Sequence, residues 1–191
     1  LNIDRKQLII DAASKSFSAF GYKATTMDQV AKLAKVGKGT IYTFYKNKEE
    51  LFHEIISSLI KEMKRAAEEV MDNDDPFFIN ADRVLYTLLE FRTEHQLMIK
   101  LLQEEKEIGT PAVTEVVQKL EDTIVKYMSN IIKEGIVSGE IKDCDPELTA
   151  FVILKLYVSL IFDWEKTREP LEKEQISEFF HLYLMNGLSN R

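Results

Sequence analysis

The sequence predicts an all-α protein of about nine helices, and three observations carry that prediction. Apolar residues recur at three- and four-residue spacing nearly throughout the 191 residues. Only 7 glycines and 4 prolines punctuate the chain, which leaves room for long helices. No alternating pattern of strand length and no internal repeat interrupts the helical period.

The elements follow in order. Residues 4–20 place Ile9, Ala13, Phe17 and Phe20 on one stripe, and Gly21 ends that helix where a left-handed residue is favoured. Thr26 with Gln29 three positions on is a capping box, opening a second helix with Val30, Ala31 and Ala34 inward. A short third helix spans 38–45, with Ile41, Tyr42 and Tyr45 as its apolar side. Asn47 reads as the cap of a long helix from 48 to about 71, carrying Leu51, Ile55, Leu59 and Met63 in register. Beyond it, Asp75-Pro76, Thr110-Pro111 and Asp145-Pro146 each set a capping side chain before a proline suited to a first turn. Helices are therefore expected near 76–93, 95–108, 111–137, 146–168 and 172–188. The run Glu104-Glu105-Lys106-Glu107 reads as a solvated helix end.

Composition narrows the function. Hydrophobic residues at 45% and charged residues at 30% are those of a globular chain and too apolar for a disordered one. The single cysteine, Cys144, excludes an internal disulfide and a cysteine-based zinc site, and fits a reducing compartment. The most apolar run, 150–162, carries Lys155 at its middle and is shorter than the roughly 20 residues a membrane span needs, so no membrane partner is expected. The opening residues do not read as a signal peptide, and the start at Leu1 reads as that of a trimmed sequence, so a cytoplasmic protein is expected.

The net charge of −7 hides a division. Residues 1–48 hold nine Lys/Arg against three Asp, a net of +6, which leaves −13 for the remainder. Binding to nucleic acid depends on such a local basic patch and not on the total.

Residues 26–45 then read as helix, short turn, helix, with small Ala31 and Ala34 where the two must cross closely. That is helix-turn-helix geometry, whose second helix enters the DNA major groove. On that helix Lys38, Thr40, Thr43 and Phe44 point away from Ile41 and Tyr45, and Gly39 lets the backbone approach bases or phosphates. Thr43 and Phe44 suit thymine methyls, and Thr40 suits a hydrogen bond. Thr26 and Lys48 stand at helix N-termini, where a phosphate is favoured.

The stretch Gly21-Tyr22-x-Ala24-Thr25-Thr26-Met27-x-x-Val30-Ala31-x-x-Ala34, continued by Val36-Gly37-Lys38-Gly39-Thr40-Ile41-Tyr42-x-x-Tyr45-x-Asn47-Lys48-Glu49-x-Leu51, resembles the DNA-binding domain of the TetR family of bacterial repressors. The match covers roughly residues 5–55. The resemblance implies phosphate contacts from Thr26, Tyr42 and Lys48, and base or groove contacts from Lys38, Gly39, Thr40, Thr43 and Phe44. It also implies an organisation into a helix-turn-helix head, residues 1–47, and a helical body, residues 48–191, for ligand binding and dimerisation. Three departures stand out. Lys35 occupies the usual turn glycine, where a left-handed backbone costs about 1 kcal/mol. Gly37 replaces the usual serine cap, and Phe44 stands where His or Tyr is common.

For the body, the resemblance implies a ligand cavity. Its apolar candidates are Leu88, Phe91, Met98, Leu102, Val117 and Ile124, together with Phe151, Leu154 and Trp164. His95, Glu94 or Tyr157 would be the polar element. Glu90, Glu94 and Asp163 would suit a cationic ligand if they faced inward, and the long apolar side chains would suit an acyl chain. The helix from 146 is apolar on every face and the last helix has a broad stripe, so one side of each is expected to meet a second copy. Val158, Ile161 and Phe162, with Phe179, Leu182 and Tyr183, are the candidates for that homodimer interface.

The expectation is thus a dimeric repressor that binds a near-palindromic double-stranded operator and is released by an unidentified small effector. Two other readings compete. An enzyme would need a catalytic triad, a metal cluster or a phosphate-binding glycine loop, and the spacing of His53, His95 and His181 supplies none, so no catalytic residue, metal or cofactor is expected. An architectural DNA binder would wrap its DNA, which the −13 body would repel.

Overall fold

The computed structural model describes residues 4–72, 74–90 and 92–189, as backbone alone at 92–95. Among the described residues the chain is all-α. Nine helices follow one another: α1 Arg5–Phe20, α2 Met27–Leu33, α3 Lys38–Phe44, α4 Lys48–Glu69, α5 Phe77–Glu90, α6 Arg92–Ile108, α7 Pro111–Val137, α8 Pro146–Val158 and α9 Lys173–Phe180. Helix α8 runs on through a wide π turn, Ser159–Asp163, and a tight turn, Trp164–Lys166. Helix α9 runs on through a second π turn, His181–Met185, to Leu188. The chain divides into two compact units, Leu1–Glu62 with Phe91–Lys119, and Met63–Glu90 with Leu120–Arg191.

In the first unit, the N-terminus of α1 is capped by Asp4, whose carboxylate accepts from the amides of Lys6 and Gln7. The buried face of α1 carries Ile9, Ala12, Ala13, Ser16 and Phe17. Phe20, expected on that stripe, is 65% exposed, because the helix ends there and its last turn projects past the packed face. Helix α1 packs on α2 and α6. The ring of Phe17 meets Phe52 edge-on at 5.5 Å, and Tyr22 lies 4.6 Å from Phe52. Leu51, Ile55 and Ile56 of α4 and Leu97 and Leu101 of α6 are buried in the same unit. Each such side chain contributes roughly 1.5–3 kcal/mol on burial.

The second unit shows why Gly135, Gly139, Glu140 and Asp145 occur where they do. A Cβ on Gly135 would stand 2.6 Å from Cδ1 of Ile141, so only glycine lets α7 accept that side chain. Gly139 turns the chain with φ +80. Glu140 then accepts the amide of Phe77 at 2.6 Å, capping α5 from outside it, while Asp75 pairs with Arg83 at 2.6 Å. Ile141 is buried with Ile132 and Ala150 and bridges to Ser189. Asp145 caps α8 through the amides of Glu147 and Leu148. Helix α5 packs on α9, and Glu90 pairs with Lys173 at 2.9 Å.

Candidate nucleic-acid interface

The head is built on local signals that the structure makes explicit. The Thr26 hydroxyl accepts the Gln29 amide and the Gln29 side chain accepts the Thr26 amide, closing the capping box that starts α2. Helix α2 ends at Ala34, and Lys35 takes φ +55, the left-handed conformation expected where the family has glycine. Gly37 then opens α3 with extended backbone and no side-chain cap. Helix α2 packs on α3, and Val30, Ala31, Ala34, Ile41 and Tyr45 are all buried.

With Ile41 fully buried, α3 is otherwise exposed except at the half-buried Thr40. Tyr42 is 46% and Phe44 is 40% exposed, an aromatic pair on a face that has no core to fill. Tyr42 therefore does not sit on the apolar side with Ile41 and Tyr45: one position past Ile41 is a rotation of about 100°, enough to carry it out. Thr43 is exposed and its hydroxyl donates to the Thr40 carbonyl at 2.6 Å. Gly39 faces open space, with no atom within 4 Å of an added Cβ. Lys38 is exposed and its ammonium pairs with Asp28 of α2 at 2.9 Å. Thr40 is half-buried beside them.

Lys48 is arranged differently. Its Nζ donates to the carbonyls of Tyr22 at 2.7 Å and Thr25 at 2.8 Å, and lies 4.2 Å from the Tyr22 ring centre. Two of its three N–H donors are committed to the turn between α1 and α2, which leaves one for a phosphate. Burial lowers its pKa from the ordinary lysine value, opposed by the charge of Glu104.

Glu104 also departs from its expected place. It is 6% exposed, not a solvated helix end. Both carboxylate oxygens accept the Lys23 amide, at 3.0 and 3.1 Å, and one also accepts the Thr110 hydroxyl at 2.7 Å. A Cβ on Gly21, which has φ +83, would stand 2.7 Å from the other oxygen. The signal was present: Leu97, Leu101 and Glu104 share one helical face at i, i+4 and i+7, and the two leucines are buried.

The expected pocket residues are distributed over both units. In the first, Val117 is buried and Met98 and Leu102 are half-buried. In the second, Leu88, Ile124, Leu154, Tyr157 and Trp164 are half-buried, whereas Phe151 is 40% exposed with the Lys155 ammonium 5.2 Å from its ring. Burial pushes the Tyr157 hydroxyl well above the ordinary phenol range. The Trp164 indole donates to the Glu169 carbonyl, and Arg168 lies 4.5 Å from its ring centre. Phe91 lies outside the described residues, as do the side chains of Glu94 and His95.

Of the residues expected at a dimer interface, Phe179, Leu182 and Tyr183 are exposed, at 36, 58 and 63%, and Val158 is half-buried. Ile161 and Phe162 are instead buried within the single chain, because the π turn holds Leu160, Ile161 and Phe162 inside the second unit. Leu148 and Val152 of α8 are exposed in their place. Among the described residues no helix is long and apolar enough to cross a membrane.

A basic three-helix head with an outward-facing third helix defines a helix-turn-helix DNA-binding protein. The model of the bacterial regulatory proteins of the tetR family matches residues 9–55, and that of the tetracyclin repressor-like C-terminal domain matches residues 82–188. The chain is 62% identical over 189 residues to the HTH-type transcriptional regulator YhgD of Bacillus subtilis strain 168, covering 99% of each. It is 28% identical to the fatty acid metabolism regulator protein of the same organism, covering 96% of this chain and 95% of the relative. The structure of a TetR-family regulator from Syntrophomonas wolfei superposes with a TM-score of 0.82 at 22% identity, covering 98% of both chains. The chain belongs to the tetR family of bacterial transcriptional regulators, DNA-binding transcription factors and not enzymes.

Proposed function

We propose that the protein is a homodimeric cytoplasmic repressor, with a head of residues 1–47 that binds a near-palindromic operator and a body of residues 48–191 that answers a small, largely apolar ligand. The observation that carries the DNA reading is the outer face of α3, where Tyr42, Thr43 and Phe44 are exposed around Gly39 and Lys38. In this reading Phe44, Thr43, Thr40, Gly39 and Lys38 meet base edges, and Tyr42, Thr26 and the free N–H of Lys48 meet phosphates.

The homodimer is supported by the exposed apolar side chains Leu148, Phe151 and Val152 of α8, Phe179 of α9, and Leu182 and Tyr183 of the π turn that follows it. A two-fold pair sets two copies of α3 about 34–36 Å apart, one helical turn of DNA. An uncharged ligand is favoured over a cationic one by two of the three acids that would suit a cation, Glu90 and Asp163, the side chain of Glu94 lying outside the described residues. Glu90 is paired with Lys173, and Asp163 with Lys166 at 2.7 Å, so neither is a bare carboxylate awaiting a cation. The ligand releases DNA only through different affinities for two conformations of the chain.

The test is selection of bound duplexes from a random pool at about 150 mM salt, where non-specific binding is weak. Recovery of a palindrome with half-sites about one turn apart is the expected result. A folded, dimeric protein that recovers no consensus contradicts the repressor reading and favours non-specific binding.

A further inference from the structure

The turn 21–25 joins α1 to α2 and is held from two sides. From α4, the Lys48 ammonium takes the carbonyls of Tyr22 and Thr25. From α6, the Glu104 carboxylate takes the Lys23 amide with both oxygens. A carboxylate only 6% exposed is costly unless its hydrogen bonds are made, and those of Glu104 go to an amide of the turn and to Thr110. The turn is shaped to admit it: the space beside Gly21 that a side chain would fill is occupied by the carboxylate oxygen. Within the turn, Thr25 is fully buried, donates to the Gly21 carbonyl and lies 2.9 Å from the Ser16 hydroxyl. Thr26, the cap of α2, follows directly, and α2 packs on α3.

We propose that Glu104 is a positioning residue for operator binding: held on the Lys23 amide, it fixes the turn that sets α2, and through α2 the face of α3. The proposal rests on the DNA-binding reading above. Glu104 touches no DNA in it and acts only through the turn. This gives a readout of distinctive sign. By charge alone, removing an acid that lies against a DNA-binding head strengthens binding. Loss of a positioning contact weakens it.

The test uses the whole chain and the duplex that the parent protein selects. Operator affinity is read by fluorescence anisotropy, and Lys23 amide exchange by NMR without DNA. Glu104→Ala is expected to bind about tenfold more weakly, with the Lys23 amide exchanging faster. Glu104→Gln keeps one accepting oxygen and is expected to recover most of the affinity. Where Glu104→Ala does not fold, Glu104→Leu fills the space without the charge and is expected to show the same loss while melting normally. A folded Glu104→Ala or Glu104→Leu that binds as tightly as the parent, or more tightly, overturns the proposal. So does a Lys23 amide as protected as in the parent. A parent that selects no duplex overturns the DNA-binding reading itself, a failure seen before any variant is made.

Discussion

Lys35 and Glu104 show what single residues reveal in a sequence and what they conceal. The left-handed position of Lys35 was legible through the family resemblance, because Lys35 stands where the family has its turn glycine. Its φ of +55 carries a penalty of about 1 kcal/mol that glycine would not pay. Lys35→Gly is therefore expected to raise the stability of the head by up to about 1 kcal/mol. Chemical denaturation checks this, and a lower midpoint would contradict it. Glu104 was concealed by its neighbours, since the flanking Glu105, Lys106 and Glu107 give the segment the look of a solvated run. Its place on the face of Leu97 and Leu101 pointed inward, but the partner that makes a buried acid tolerable there is an amide 81 residues away in sequence. Tyr42 was misplaced because it stands at the edge of its apolar stripe, where one step of about 100° decides burial, and Phe20 because it is the last residue of α1, in register with the stripe but past the packed face.

Helices follow from local spacing, so the order and kind of the elements could be read in advance. Caps carried the boundaries. The Thr26–Gln29 box and Asp145 act as the sequence indicates, because a cap and its amide lie within three residues. The cap of α5 was misread as Asp75, which pairs with Arg83 instead, because the carboxylate that takes the Phe77 amide comes from Glu140, 63 residues further on. The π turn in α8 was equally hidden, and it places Ile161 and Phe162 in the interior of their unit. The segment from Gly135 to Asp145 is a compact junction that depends on glycine at two points, for space at Gly135 and for a left-handed turn at Gly139. Gly135→Ala forces a methyl group to within 2.6 Å of Ile141, and the unit is expected to lose about 1–3 kcal/mol as the side chain is displaced. Thermal melting tests this, and an unchanged midpoint would mean that the junction yields freely.

Charge is the property that belongs to the whole molecule, with +6 on residues 1–48 and −13 on the rest. Such a distribution attracts DNA to the head and repels it elsewhere, which favours one defined contact over wrapping. The combined change Tyr42→Phe and Lys48→Ala is expected to weaken binding to all duplexes alike. It should also reduce the salt slope by about one for each Lys48 that reaches a phosphate. An unchanged slope would assign Lys48 wholly to the turn that its Nζ already holds. The basic head was legible from counting, whereas the effector was not, since its candidate residues share the spacing of an ordinary core.

The most direct measurement of the central claim is one duplex-selection experiment run in parallel on the parent chain and on Phe44→Ala. The account predicts a palindrome from the parent, and from the variant a relaxed base preference at the same position in both half-sites. An identical consensus from both chains, or a change in one half-site alone, would contradict the reading of DNA by the outer face of α3 in a two-fold dimer.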